Sequence, residues 1–222
     1  MTAATNMSMP ENERSQRILA RRAREKQELR QKILNAATEL FAREGYEGVS
    51  IRKIADRIEY SPTTIYLHYK DKAELMGNIC SDVFGALRAK LGEIAALGLA
   101  PLEQLRRSLR AYIEFGLEHP NHYIVLFCLP EPVELVQAME AGGYSQDPGM
   151  ACFDLLREGI ALCMKEGVIG DDDVEFTSQA TFLMLHGITG ALITMRSFPW
   201  LEREALITSY VDRVMKSLGA RG

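Results

Sequence analysis

Residues 50–72 read SIRKIADRIEYSPTTIYLHYKDK, and two short helices are written into them. Ser50 is a good N-cap, and Ile51, Ile54, Ala55 and Ile58 follow at the spacing that puts them on one helical face. Ser61 caps a second helix, and Pro62 takes its first position, where a missing N–H costs nothing. Tyr60 and Ile65 flank that cap as a hydrophobic staple, while Asp71 and Glu74 are spaced as a capping box that opens a further helix. Upstream, Ile33, Leu34, Ala37, Leu40 and Phe41 share one face of a helix that Gly45 terminates. Two short helices joined by a tight turn and packed on a third make a helix-turn-helix.

The second helix of such a pair meets DNA, and its residue types suit that work. Thr63 and Thr64 offer hydroxyls and methyls at the helix N-terminus, the end that enters a major groove. Tyr66, His68 and Lys72 can donate to phosphates, as can the backbone N–H groups at helix starts. Ser50, Arg52 and Ser61 complete the expected DNA-binding set. The bland alternative, an ordinary helical hairpin with a polar surface, has about equal weight on spacing alone.

The run is also recognisable. Ile54-Ala55 through Ser61, Thr64, Tyr66, His68, Tyr69, Lys72 and Leu75 closely resembles the signature of TetR-family regulators, the tetracycline-repressor-like proteins. Ile33 to Ala37, Leu40-Phe41 and Gly45-Tyr46 resemble that family's first helix and following turn. The resemblance covers about residues 30–76. It implies an all-α chain with a three-helix DNA-binding domain, a larger helical ligand-binding domain, and a homodimer built on the last two long helices. Two positions depart from the pattern: Glu59 stands in the turn and Thr63 before the recognition threonine, both places where the family favours Gly. If the turn needs positive φ, Glu59 costs about 1 kcal/mol there.

Working outward, the expected organisation is a basic flexible arm over residues 1–23, the helix-turn-helix domain over 24–71, and a ligand-binding and dimerisation domain over 72–222. Arg14 to Lys32 holds eight basic residues against Glu25 and Glu28. Residues 1–75 carry 14 Lys/Arg and 11 Asp/Glu although the whole chain has a net charge of −4, so positive charge gathers at the front. Beyond Lys72 the spacing predicts helices over 72–98, 101–119, 121–129 and 150–165, one from about Asp173 to Ser197, and a last one from Pro199 to Leu218, with a loop over 141–149. Tyr112, Phe115, Tyr123, Phe127, Phe153, Phe182 and His186 are candidates to line a cavity for a small apolar or aromatic effector, with plain core as the alternative for each. Leu185-His186-Gly187 followed by Gly190 resembles a Trp-His-Gly element of one family branch.

Other classes are poorly supported. Pro120 breaks the spacing that Glu118, His119 and His122 would need for a metal site. No nucleophile elbow or phosphate-binding glycine loop is present, so neither catalysis, metal nor cofactor is expected. Phe176 to Met195 has the length of a membrane span, but its threonines, Ser178, Gln179 and His186 favour a helix buried in protein. Cys80, Cys128, Cys152 and Cys163 form no C-x-x-C pair and suit a cytoplasmic protein with reduced, mostly buried thiols.

Overall fold

The computed structural model describes residues 11–142 and 147–220. The first part of the expected flexible arm, residues 1–10, lies outside them. Ten α-helices follow one another, and no strand occurs among the described residues. They are α1 (Glu11–Glu44), α2 (Ile51–Ile58), α3 (Pro62–Tyr66), α4 (Lys72–Ala95) and α5 (Pro101–Glu118). After α6 (Pro120–Tyr123) come a π-helical turn (Ile124–Cys128), α7 (Val133–Gly142), α8 (Pro148–Lys165), α9 (Val174–Thr194) and α10 (Arg203–Ser217).

The predicted caps are all used. Ser50 accepts from the Lys53 N–H, Ser61 from the Thr64 N–H, and Asp71 from the Glu74 N–H. Glu59 closes α2 with φ of 63° and ψ of 41°, the left-handed conformation that the family's usual Gly would adopt without strain. Ile33, Phe41, Ile54 and Ile65 are sealed from solvent. They form one core with Leu75, Met76, Ile79, Val83 and Leu87 of α4. Helix α4 thus supplies the floor of the helix-turn-helix core.

A second core gathers Leu105, Leu109 and Ile113 of α5, Ile160 and Cys163 of α8, Leu185 and Ile188 of α9, and Ile207, Val211 and Met215 of α10. Helices α5 and α9 touch closely because residue 116 is Gly. An added Cβ there would sit 2.5 Å from Thr189 Cγ2 and 2.8 Å from Tyr123 Cδ2. The hydroxyls that made Phe176–Met195 too polar for a membrane are absorbed inside α9. Ser178, Thr181 and Thr189 are buried and donate to the carbonyls of Val174, Thr177 and Leu185 at 2.6–2.8 Å. Among the described residues no helix is long and apolar enough to cross a membrane.

Four expectations need correction. The arm is not flexible as far as residue 23, because α1 is helical from Glu11 without interruption. Its Arg, Lys, Glu, Gln and Ala residues are strong helix formers, and the packed half of α1 nucleates the rest. The last helix starts at Arg203 rather than Pro199, with Glu202 accepting from the Glu204 and Ala205 N–H groups. Residues 133–142 form a helix that starts just after Pro130 and Pro132 and takes in the first two residues of the expected loop. Cys128 is exposed, unlike Cys152 and Cys163.

Candidate functional site

Helix α1 runs alongside the whole helix-turn-helix, and its contacts set the order of the parts. Near its end, Glu44 pairs with Lys53 of α2; further back, Glu39 lies 3.0 Å from Arg57. Further back still, Lys32 Nζ lies 5.6 Å from the Tyr60 ring centroid, in the turn before α3. The Arg30 guanidinium lies 5.9 Å from the centroid of Tyr69, just past α3, and donates to Asn78 Oδ1 of α4 at 2.6 Å. Helix α3 is thus clamped from both ends by basic residues of α1.

On α3 the outward row is Thr63, Tyr66 and Leu67, all exposed, while Ile65 points wholly inward. Thr64 is half-buried, and its hydroxyl lies 3.0 Å from that of Ser61. Arg52 is exposed on α2. His68 is half-buried, and its pKa lies below the usual value because of burial first, then the positive charges of Lys26 and Arg30. Lys72 has a role that its sequence position did not announce. Its Nζ donates to the Tyr46 carbonyl at 2.8 Å and sits 3.9 Å from the centre of the Tyr46 ring. It therefore ties the start of α4 to the turn after α1. Six of the eight expected residues, Ser50, Ser61, Thr63, Thr64, Tyr66 and His68, lie on α3, beside it or at a cap of the pair. Arg52 sits on the first turn of α2 and Lys72 on that of α4.

A second site lies between α4, α5, α8 and α9. They form most of the wall of a partly open cavity of about 670 Å³, within the size range of small-molecule pockets. Four of the seven expected ligand residues line it: Tyr112, Phe127, Phe153 and Phe182. Phe127 belongs to the π-helical turn. The other three do not line this cavity. Phe115 is buried in the first core. The Tyr123 hydroxyl lies 2.7 Å from His186 Nδ1, and the two rings stack at 5.6 Å. Burial lowers the His186 pKa and pushes the Tyr123 hydroxyl up to about 12, so the phenol and the imidazole share this hydrogen bond as neutral groups. His186 is thus a half-buried histidine with a hydrogen-bond partner inside the protomer. The sequence reading missed the α4 wall, Phe84, Leu87 and Leu91, whose only signal is helical spacing. The described residues contain no group of His, Cys, Asp and Glu arranged to hold a metal.

The first site matches known proteins. Residues 33–79 fit the sequence model of bacterial regulatory proteins of the tetR family. The chain is 26% identical over 146 residues to YerO of Bacillus subtilis (strain 168), an HTH-type transcriptional regulator. That match covers 64% of this chain and about half, 48%, of YerO. It is 25% identical over 189 residues to YhgD, another HTH-type transcriptional regulator of the same organism, covering 85% of this chain and 95% of YhgD. In structure it is similar to PfmR, a TetR family transcriptional regulator from Thermus thermophilus. The TM-score is 0.65 at 26% identity, over 86% of this chain and 96% of PfmR. With the clamped α3 at its front and a similar helical body behind, residues 33–79 carry the DNA-binding region of bacterial regulatory proteins of the tetR family, and the chain as a whole is similar to transcriptional regulators of that family.

Proposed function

We propose that this regulator is a repressor that binds a pseudo-palindromic operator as a dimer in the cytoplasm and is released by a small apolar or aromatic molecule. The observation that carries the reading is the continuity of α4. One unbroken helix has Lys72 at the foot of the helix-turn-helix, Leu75, Met76 and Ile79 in the helix-turn-helix core, and Phe84, Leu87 and Leu91 in the cavity wall. A ligand seated against Phe84 and Tyr112 displaces the same rod that floors α3. Half-sites about one DNA turn apart, roughly 34–36 Å, tolerate little change in the separation of paired recognition helices. A coupling of about 1–3 kcal/mol is enough for a useful switch.

At the DNA, the exposed Thr63 and the methyl of Thr64 read base edges. Tyr66, His68, Arg52, Lys72 and the capping Ser50 and Ser61 hold phosphates. The dimer forms through α9 and α10. In support, Phe176 and Leu183 are about two-thirds exposed on α9, on the same side as Gly187, where an added Cβ would meet nothing within 4 Å. The apolar face of α10 is already spent on α5 within the protomer, so α10 brings a mostly polar face and α9 the apolar one.

The test is operator binding by fluorescence anisotropy with and without small aromatic and aliphatic compounds. A compound that seats in the cavity lowers operator affinity, and bound operator lowers affinity for the compound by the same factor. A compound that binds there tightly and leaves operator affinity unchanged overturns the lever. Lys72→Ala weakens binding to all operator variants alike, whereas Thr63→Ala changes the ranking among them. Light scattering gives a dimer at micromolar concentration; a stable monomer overturns the two-fold geometry.

A further inference from the structure

The region matched to the family begins at residue 33, yet α1 begins at Glu11. The intervening 22 residues are one helix, about 33 Å long at 1.5 Å per residue. Their direction is fixed by the contacts already given. Passing backward along α1, Glu44 and Glu39 lie against α2, then Lys32 and Arg30 against the two flanks of α3. The helix then leaves the domain beyond α3. Residues 15–27 are exposed throughout. From Arg17 to Lys26 this exposed length carries five basic residues and one acidic residue, Glu25, which pairs with Arg21 at 3.3 Å. A solvent-exposed helix with this imbalance has charge complementary to a polyanion, and it extends past α3, the helix proposed above to meet DNA.

We propose that the Arg17–Lys26 segment is a second DNA-contacting surface, a helical arm that binds backbone phosphates outside the half-site read by α3. The proposal rests on the reading of α3 as the recognition helix. The arm adds affinity without sequence preference, because phosphate contacts carry no base information. It also lengthens the footprint at each end of a dimer-bound operator. Gln or Ala at these positions keeps helix propensity close to that of Arg and Lys, so the charge is removed without breaking the helix.

The experiment compares the full chain with a variant carrying R21Q, R22Q, R24Q and K26Q. Two duplexes bearing the operator recovered by selection from a random pool are used. One ends at the outer edges of the half-sites; the other extends a further turn on each side. Affinity is read against salt concentration, with Thr63→Ala as a parallel variant. On the long duplex the fourfold variant loses roughly tenfold or more in affinity, and the slope of log K against log salt becomes shallower by up to about 7, at about 0.9 for each of the eight charges removed from the dimer. On the short duplex the two proteins bind alike. Thr63→Ala changes sequence preference but keeps the advantage of the long duplex. Equal losses on both duplexes, or no loss on either, overturn the arm while leaving α3 as the reader. Loss of the length advantage in the fourfold variant without altered preference for Thr63→Ala upholds the arm and overturns the assignment of Thr63. Wild-type protein that selects no sequence overturns both. Unchanged DNA binding with lost binding to phosphatidylglycerol vesicles overturns the DNA assignment in favour of a lipid surface.

Discussion

The two halves of the molecule use the same residue types in opposite ways. In the helix-turn-helix, Ile33, Phe41, Ile54 and Ile65 are packed to zero exposure, and the short α3 is braced from α1 at both ends. Between α4, α5, α8 and α9, aromatic rings such as Tyr112, Phe153 and Phe182 meet edge-on around about 670 Å³ of open space. Reading base edges demands side chains held to a fraction of an ångström, which only a close-packed support provides. Accepting a ligand demands volume that packing leaves unfilled, and so gives up some stability. Helix α4 belongs to both halves, and its first three turns are buried in the rigid one.

The sharpest way to break this contrast is to truncate one aromatic in each half. Phe41→Ala removes a fully buried ring from a closed core and is expected to cost about 3–5 kcal/mol in denaturant unfolding. Phe182→Ala only enlarges an existing cavity, so its cost is expected to stay under about 2 kcal/mol. Equal losses would mean that the C-terminal half is as closed as the N-terminal one.

A smaller effect, of opposite sign, sharpens the account of the rigid half. Glu59 is the one non-glycine residue with positive φ among the described residues. Glu59→Gly relieves that strain but adds freedom to the unfolded chain, and the net gain is expected to be up to about 1 kcal/mol. A fall in melting temperature would show that the Glu59 side chain contributes a contact worth more than its strain.

The smallest expected effect is acid sensitivity. His68 in one half and His122 and His186 in the other have pKa values held below 6.5, chiefly by burial. The unfolded chain then binds more protons than the folded one once pH falls through 6.5, so stability declines from there down to the lowered folded values. A stability curve that stays flat or rises from pH 7 to pH 5.5 would contradict these environments.

Legibility in the sequence followed the same division. The caps Ser50, Ser61 and Asp71, the proline at N1 of α3 and the turn at Glu59 are local signals, and each stands where local chemistry put it. Thr63 and Tyr66 were readable as outward because Ile65 fixes the inward face. The grip of Lys72 on the Tyr46 carbonyl joins residues 26 apart, and nothing in either neighbourhood announces it. The cavity was only half legible for the same reason. Aromatic residues can be counted in a sequence, but which of them face a void depends on four helices meeting at once. Tyr123 and His186 satisfy each other 63 residues apart, and so leave the set that lines it.

In the proposed function, α3 reads DNA through Thr63 and Thr64 on a two-fold assembly. The most direct test is selection of bound duplexes from a random pool, performed in parallel with the wild-type chain, Thr63→Ala and Thr64→Ala. The wild type is expected to recover a pseudo-palindrome with half-sites about one helical turn apart. Each variant should recover the same spacing with relaxed or altered preference at one or two positions within each half-site. A pool with no enriched sequence, or identical sequences from all three proteins, would contradict it.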